Sequence, residues 1–398
     1  MMALMEKTAR SLRGGFLIIK SSPVFLYTML SIVAMYVVNF NYIIIVGNIG
    51  ESLALSFLNS FFACAMAFLI IGAFLSERLK LRAHLIWNLL GIIFGIALML
   101  PIGSTTGLIL YSILGGVATG LGIPRAVTLV INRTTFENRG GVSGVFTAMV
   151  YVLIIGCSFF INTAVQMGMF LVLIKLINMF IAFKTDFTKT PPAEGPFVRF
   201  GANIKFSFCF LWFIFLLVDA LLSISGRLVM GYELVVLRTA SMLVGLASMP
   251  LVGALMDEIG RKKLLVFCYA YLGFEYALIT LSGGYLIRYT YLDGIAWGIL
   301  TVFFIMVLVG DIIFPQGRPL FLSIMMSIAF LGSYVRDTLL ASNIVFYPQQ
   351  IFTITSVFLF VAVVVMLFLP ETLPDKVLQK KELQDYLQRA KKVREKYQ

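Results

Sequence analysis

Gly253-Ala-Leu-Met-Asp257-Glu258-Ile-Gly260-Arg261-Lys262-Lys263-Leu-Leu is a short polar turn lodged between two long apolar runs. A related stretch stands 181 positions earlier: Gly72-Ala-Phe-Leu-Ser76-Glu77-Arg78-Leu-Lys80-Leu-Arg82. There a serine replaces the aspartate and the second glycine is missing. Two such turns half a chain apart imply a duplicated chain whose halves each carry the same apolar-turn-apolar unit.

The composition says what the apolar runs are. The chain is 60% hydrophobic and only 13% charged, far from a soluble protein of its length. A helix needs about 20 apolar residues to cross the hydrocarbon. Twelve runs of that kind lie near 24–46, 52–75, 83–101, 106–131, 141–161, 164–183, 204–226, 233–256, 264–285, 291–313, 320–342 and 349–369. Backbone polar groups must be satisfied internally in lipid, so these runs are expected to be helices, and the alternating pattern of a membrane barrel is absent. The expected fold class is an all-α membrane protein with twelve transmembrane helices in two pseudo-symmetric six-helix bundles. The bundles are expected at 1–183 and 204–370, joined by a linker at 184–203 that holds Pro191, Pro192 and Pro196, with a basic tail at 371–398.

Charge orients the chain. With the N-terminus, the even-to-odd loops and the tail on one side, nearly every Lys and Arg outside the spans falls there, and the opposite loops carry only Arg227 and Arg288. By the positive-inside rule both termini are cytoplasmic, and the net charge of +12 reports topology and anionic lipid rather than nucleic acid. The first apolar run reads as an uncleaved anchor. In the tail, Leu383, Tyr386, Leu387, Ala390 and Val393 recur at helical spacing among basic residues, the pattern of a helix lying on the inner leaflet.

Enzymatic chemistry finds no support. Cys64, Cys157, Cys209 and Cys268 all fall inside spans without metal-ligand spacing. His84 is the sole histidine, and no Gly-rich phosphate loop with a lysine occurs. No catalytic residue, metal or cofactor is expected.

The turn at Gly253–Lys263 resembles the signature loop of the major facilitator superfamily, which that family places between spans 2 and 3 and again between spans 8 and 9. Leu369-Pro370-Glu371-Thr372-Leu373-Pro374 resembles the closing Pro-Glu-Thr element of its metabolite and organic-ion porters, and Glu137-Asn-Arg139-Gly140 its run after span 4. The resemblance covers nearly the whole chain and implies a secondary transporter working by alternating access between two bundles. It also implies a gating set: Gly253, Asp257, Gly260, Arg261 and Asp311, with Gly72 and Arg78 in the degenerate copy. In that set Gly253 would approach span 11, Asp257 would face the N-terminus of span 11, and Arg261 would pair with Asp311.

Polar residues inside spans are costly and mark function or packing seams. Asp219, Arg238, Arg336 and Asp337 share the outer half of the second bundle and, with Asn39, Tyr151 and Arg125, form the expected solute or proton site. Lys175 and Glu275 read as local packing or snorkelling residues. Several family features are missing: the arginine many members carry in span 4 is replaced around Gly116, and span 1 has Asn39 and Asn41 in place of an acid. The expected function is movement of a small polar metabolite or organic ion by a monomer in the cell membrane, with protons coupled at Asp219. The alternatives are a sensor or assembly protein on the same fold, or a lipid, lipophile or drug exporter.

Overall fold

Every expected span is met by a helix. A computed structural model describes residues 2–40, 51–79, 81–100, 105–185, 187, 200–229, 231–283, 290–341 and 347–374, with seven scattered positions of the tail. Among these residues there is no strand. Among the described residues eleven helices are long and apolar enough to cross a membrane; Pro23–Val38 meets the test together with Ser11–Ser21, from which it bends by 90°. Span 1 is Pro23–Phe40, span 2 Glu51–Leu79 and span 3 Leu81–Leu98; span 4 is split into Thr105–Gly120 and Ile123–Ile131. Spans 5 to 9 are Arg139–Phe160, Ala164–Lys184, Ala202–Val229, Gly231–Ile259 and Arg261–Leu281. Span 10 runs from Gly294 to Ile312 with a π-helical turn at Phe303–Val307; spans 11 and 12 are Arg318–Ala341 and Pro348–Phe368.

One element went unread in the sequence. Met2–Ser21 is itself a helix, and its second half meets span 1 at 90°. Pro23 removes an amide and drives Ser22 out of the helical region, so the chain cannot continue straight. The Ser21 hydroxyl donates to the Ile18 carbonyl (2.8 Å) and closes the last turn.

The packing repeats by halves. Span 1 lies against spans 5 and 6, span 2 against span 4, and span 3 against spans 4 and 6. In the second half, span 7 lies against spans 11 and 12, span 8 against span 10, and span 9 against spans 10 and 12. The halves meet through the exchanged pairs, span 5 with span 8 and span 11 with span 2. Each contact has its partner six spans on, as a two-fold axis along the membrane normal requires.

In lipid, close approach and interhelical hydrogen bonds hold such bundles together. Several polar residues that could have lined a cavity are used this way. Thr28 donates to the Ala126 carbonyl (2.9 Å), and Asn178 donates to the Ser31 hydroxyl (2.9 Å). In the second half Trp212 donates to Met325 O, and Tyr269 to Leu211 O, both at 2.9 Å. Lys175 does not snorkel: it is 4% exposed, with its ammonium 3.8 Å from the centre of the Trp87 ring.

Span 4 leaves no room for an arginine at Gly116. A side chain at Gly116 would begin 2.7 Å from both Cys64 Cβ and the Phe61 carbonyl of span 2. Backbone cannot yield as a side-chain tip can, so Gly116→Arg is expected to separate spans 2 and 4 and abolish the folded protein. Size-exclusion chromatography in detergent checks this: monodisperse Gly116→Arg at the wild-type yield would refute the packing argument.

Candidate functional site

The polar turn after span 8 builds a buried charge network across the two halves. Asp257 Oδ1 accepts the Gly140 amide (2.9 Å) and Oδ2 the Gly141 amide (2.8 Å), in the first turn of span 5. Exposed amides at a helix start favour an anion. The expected partner, span 11, is therefore corrected to span 5. The two-fold relation explains why: span 8 meets span 5 as span 2 meets span 11. Gly253 follows the same correction. A Cβ there would overlap the Gly140 carbonyl and stand 3.0 Å from the Gly144 Cα, so its close approach is also to span 5.

The Arg261–Asp311 pair is present as expected. Arg261 Nη1 lies 2.9 Å from Asp311 Oδ2, and its Nη2 lies 3.3 Å from Asp257 Oδ1 and donates to the Phe136 carbonyl (3.1 Å). A second cation that the sequence reading did not single out shares the carboxylate: Arg139 Nη1 is 2.6 Å from Asp311 Oδ1. Arg139 also donates from Nε to the Thr134 hydroxyl (3.0 Å), and its guanidinium lies against Gly310, where a side chain would overlap it. Thr372, from the closing element, donates to Asp311 Oδ2 (3.2 Å). The side chains of Arg139, Arg261 and Asp311 are all 0% exposed. Two cations on one carboxylate, with Asp257 beside them, balance the charge of the buried group.

The first half repeats this arm in weakened form. Arg318 stands 179 positions after Arg139, and Asp311 stands 179 after Asn132. Arg318 Nη1 donates to Asn132 Oδ1, as Arg139 Nη1 pairs with Asp311 Oδ1. Arg318 Nε donates to the Ile313 carbonyl (3.0 Å), and Ser323 donates to the Leu69 carbonyl (2.9 Å), joining span 11 to span 2. Ser76, in the place of Asp257, is buried and donates to Ala73 O within its own helix. Gly72 packs on the Leu121 carbonyl of span 4, inside its own half, and Arg78 is exposed. Asn132→Asp is expected to restore the neutral arm to a charged one. A charge-assisted hydrogen bond exceeds a neutral one by roughly 1 kcal/mol. Maleimide labelling of Ser143→Cys, buried in the first turns of span 5, should slow several-fold in that background. Faster or unchanged labelling would refute the equivalence of the arms.

The closing element fixes the other end of the turn. Gly260 has φ of 94°, a left-handed conformation that glycine adopts without strain. Glu371 packs beside it and accepts the amides of Arg261 (3.1 Å) and Lys262 (3.1 Å), capping span 9. Glu371 and Thr372 thus bring the chain's far end into the network, which the sequence motif marked without showing how.

The expected solute site is less fully drawn. The side chains of Asn39, Arg238 and Asp337 lie outside the described residues. Asp219 and Arg336 are partly buried, and Asp219 lies within electrostatic range of Tyr151 of span 5. The Tyr151 ring faces Tyr36 of span 1 at a centroid distance of 6.1 Å. Phe215, one turn before Asp219, lies 4.1 Å from the Trp297 ring of span 10. Tyr36, Tyr151, Asp219 and this aromatic pair therefore come from spans 1, 5, 7 and 10, on both sides of the pseudo-axis. Arg125 is partly buried in the inner segment of span 4, within electrostatic range of His84, which is 3% exposed and hydrogen-bonded to the Tyr27 hydroxyl (3.0 Å). Asp293, which the sequence reading passed over, accepts from Ser241 of span 8 and from Tyr276 of span 9 (3.2 Å). No group of metal-ligating residues occurs among the described residues.

Comparison with solved structures finds proteins of the same fold. The proton:xylose symporter XylE bound to 6-bromo-6-deoxy-D-glucose matches with a TM-score of 0.62 at 15% identity, over 93% of this chain and 96% of its own. A double-tryptophan variant of XylE matches at 0.62 and 16% identity, over 96% and 99%. The human organic anion transporter MFSD10 (TETRAN) matches at 0.55 and 13% identity, over 86% and 98%. No family model matches the chain, and no curated protein sequence does. At these identities the likeness is one of fold: an all-α, multi-pass membrane protein of about twelve helices.

Proposed function

We propose that the protein is a secondary transporter that moves a small polar metabolite or organic ion by alternating access. Two bundles, 1–183 and 204–370, rock about a central site. The basic face is cytoplasmic, both termini lie there, and the protein works as a monomer in the cell membrane. The observation that carries this reading is the Arg139–Asp311–Arg261 network with Asp257 on the Gly140 and Gly141 amides. It joins the halves through charges at the basic face, beside the helix contacts of span 5 with span 8 and span 2 with span 11. The desolvation cost of buried ion pairs largely offsets their attraction, so such a seal can exchange for water without a large net penalty. That suits a gate which must open at every cycle.

Asp219, Arg336 and Tyr151, with Asn39, Arg125, Arg238 and Asp337, form the solute and proton site under this reading. That the neighbours are named as a proton:xylose symporter and an organic anion transporter supports this choice of solute class. Thermal-shift screening of the purified protein against metabolite, sugar and organic-ion libraries supplies the candidate. Counterflow exchange in proteoliposomes then tests it, and a ligand that binds without crossing the bilayer would refute transport. Asp219→Asn is expected to abolish accumulation driven by a pH gradient while preserving counterflow. Unchanged gradient-driven uptake would remove the proton role and leave facilitated movement.

A further inference from the structure

We propose that the helix Met2–Ser21 is a clasp that reads the membrane. One stripe, Arg13, Phe16, Leu17 and Lys20, docks on anionic phospholipid headgroups, while the opposite stripe holds the basic face closed. The docking half of this inference stands by itself; the closing half rests on the alternating-access reading.

The geometry starts at Ser22. Span 1 begins one residue later and crosses the bilayer, so a helix meeting it at 90° lies along the membrane surface at the basic face. Helical spacing then sorts its residues onto two sides. Arg13, Phe16, Leu17 and Lys20 recur at intervals of three and one, and all four are exposed, Phe16 at 51% and Leu17 at 57%. Thr8, Gly15 and Ile19 recur on the other side and are buried. The helix packs on spans 5 and 8, one from each half. Gly15 rests on the backbone of Gly141 and Val142, and a side chain at Gly141 would begin 2.6 Å from the Ser11 hydroxyl. Gly141 is the residue whose amide Asp257 accepts. The helix therefore covers the outside of the same joint that Asp257 holds from within.

The chemistry of the exposed stripe selects its occupant. Two large apolar side chains flanked by two cations, at the level where a span enters lipid, match an interface of acyl chain and acidic headgroup. Over its whole length the helix has one acidic residue, Glu6, against Lys7, Arg10, Arg13 and Lys20. Docking there holds the helix down on the first turn of span 5 and the end of span 8, which must part for the basic face to open.

The test uses the full chain with its native cysteines replaced, carrying Leu17→Cys labelled with an environment-sensitive nitrobenzoxadiazole dye. It is reconstituted in phosphatidylcholine vesicles with or without phosphatidylglycerol. A blue-shifted emission is expected with phosphatidylglycerol and not without it. Adding Arg13→Gln and Lys20→Gln should weaken headgroup docking at least tenfold and remove the shift. Equal shifts in both vesicles, or none in either, would overturn headgroup docking. So would the same shift in neutral vesicles on adding soluble glycerol phosphate, which would assign the stripe to a free anion. Maleimide access at Ser143→Cys reads the closing half, and should rise several-fold in neutral vesicles and in the double variant. Lipid-dependent emission with constant access at Ser143→Cys would overturn the clasp, whereas failed counterflow with both signals intact would overturn only transport.

Discussion

Asp311→Asn is expected to open the basic face. The carboxylate is an anion that Arg139 and Arg261 share, and both guanidiniums are fully enclosed. Neutralising it leaves two buried cations beside Asp257, which lies 3.3 Å from Arg261. Breaking a buried pair from one side costs about 3–5 kcal/mol. At about 1.4 kcal/mol per decade this shifts the closed-to-open equilibrium by two orders of magnitude or more. Labelling of Ser143→Cys should accelerate accordingly, and adding Arg139→Gln should recover part of the loss by removing one of the stranded charges. Asp257→Asn should act in the same direction but less, because the amide oxygen still accepts one of the two backbone amides. Wild-type labelling in Asp311→Asn would leave the turn as an element that only orients the chain in the membrane.

Gly144→Val is expected to trap the protein with that face open. A Cβ at Gly144 would overlap the Met249 carbonyl of span 8 and stand 3.2 Å from the Gly253 Cα. Both obstacles are backbone, so spans 5 and 8 must separate, and the Asp257 bonds to Gly140 and Gly141 separate with them. Each half keeps its own core, so the variant should remain monodisperse in detergent while losing counterflow and exposing Ser143→Cys. An aggregated variant would show that spans 5 and 8 cannot part without unfolding, and full counterflow would show that their contact is not required.

How much of this was legible in the sequence differs by kind of signal. The twelve spans were legible because hydrocarbon imposes a length and a composition that few other settings demand. The Arg261–Asp311 pair came from a motif resemblance, and the structure carries it. The partner of Asp257 did not come out correctly, because a duplicated motif exchanges neighbours under the two-fold axis. Span 2, which ends in the first copy, meets span 11, and span 8, which ends in the second, meets span 5. Arg139 was read as part of the run after span 4 and as a charge outside the lipid, but not as a partner of Asp311, which lies 172 positions away. The equal spacing of Arg139 to Arg318 and of Asn132 to Asp311 was the available clue. The helix at Met2–Ser21 was masked by its charges, which interrupt the apolar run that marks a span. Thr28 and Ser31 show the converse limit: both are polar residues inside a span, and only packing reveals that they form a seam.

The cap that Glu371 places on span 9 sets a boundary for shortening the polypeptide. A stop codon or a fused reporter directly after Leu369 would delete the acceptor of the Arg261 and Lys262 amides, together with the Thr372 hydroxyl on Asp311. All twelve spans would be present, yet the start of span 9 and the shared carboxylate would each lose a partner. The same fusion placed after Pro374 keeps both. The minimal chain that can seal its own basic face is therefore longer than the minimal chain that can fill the bilayer.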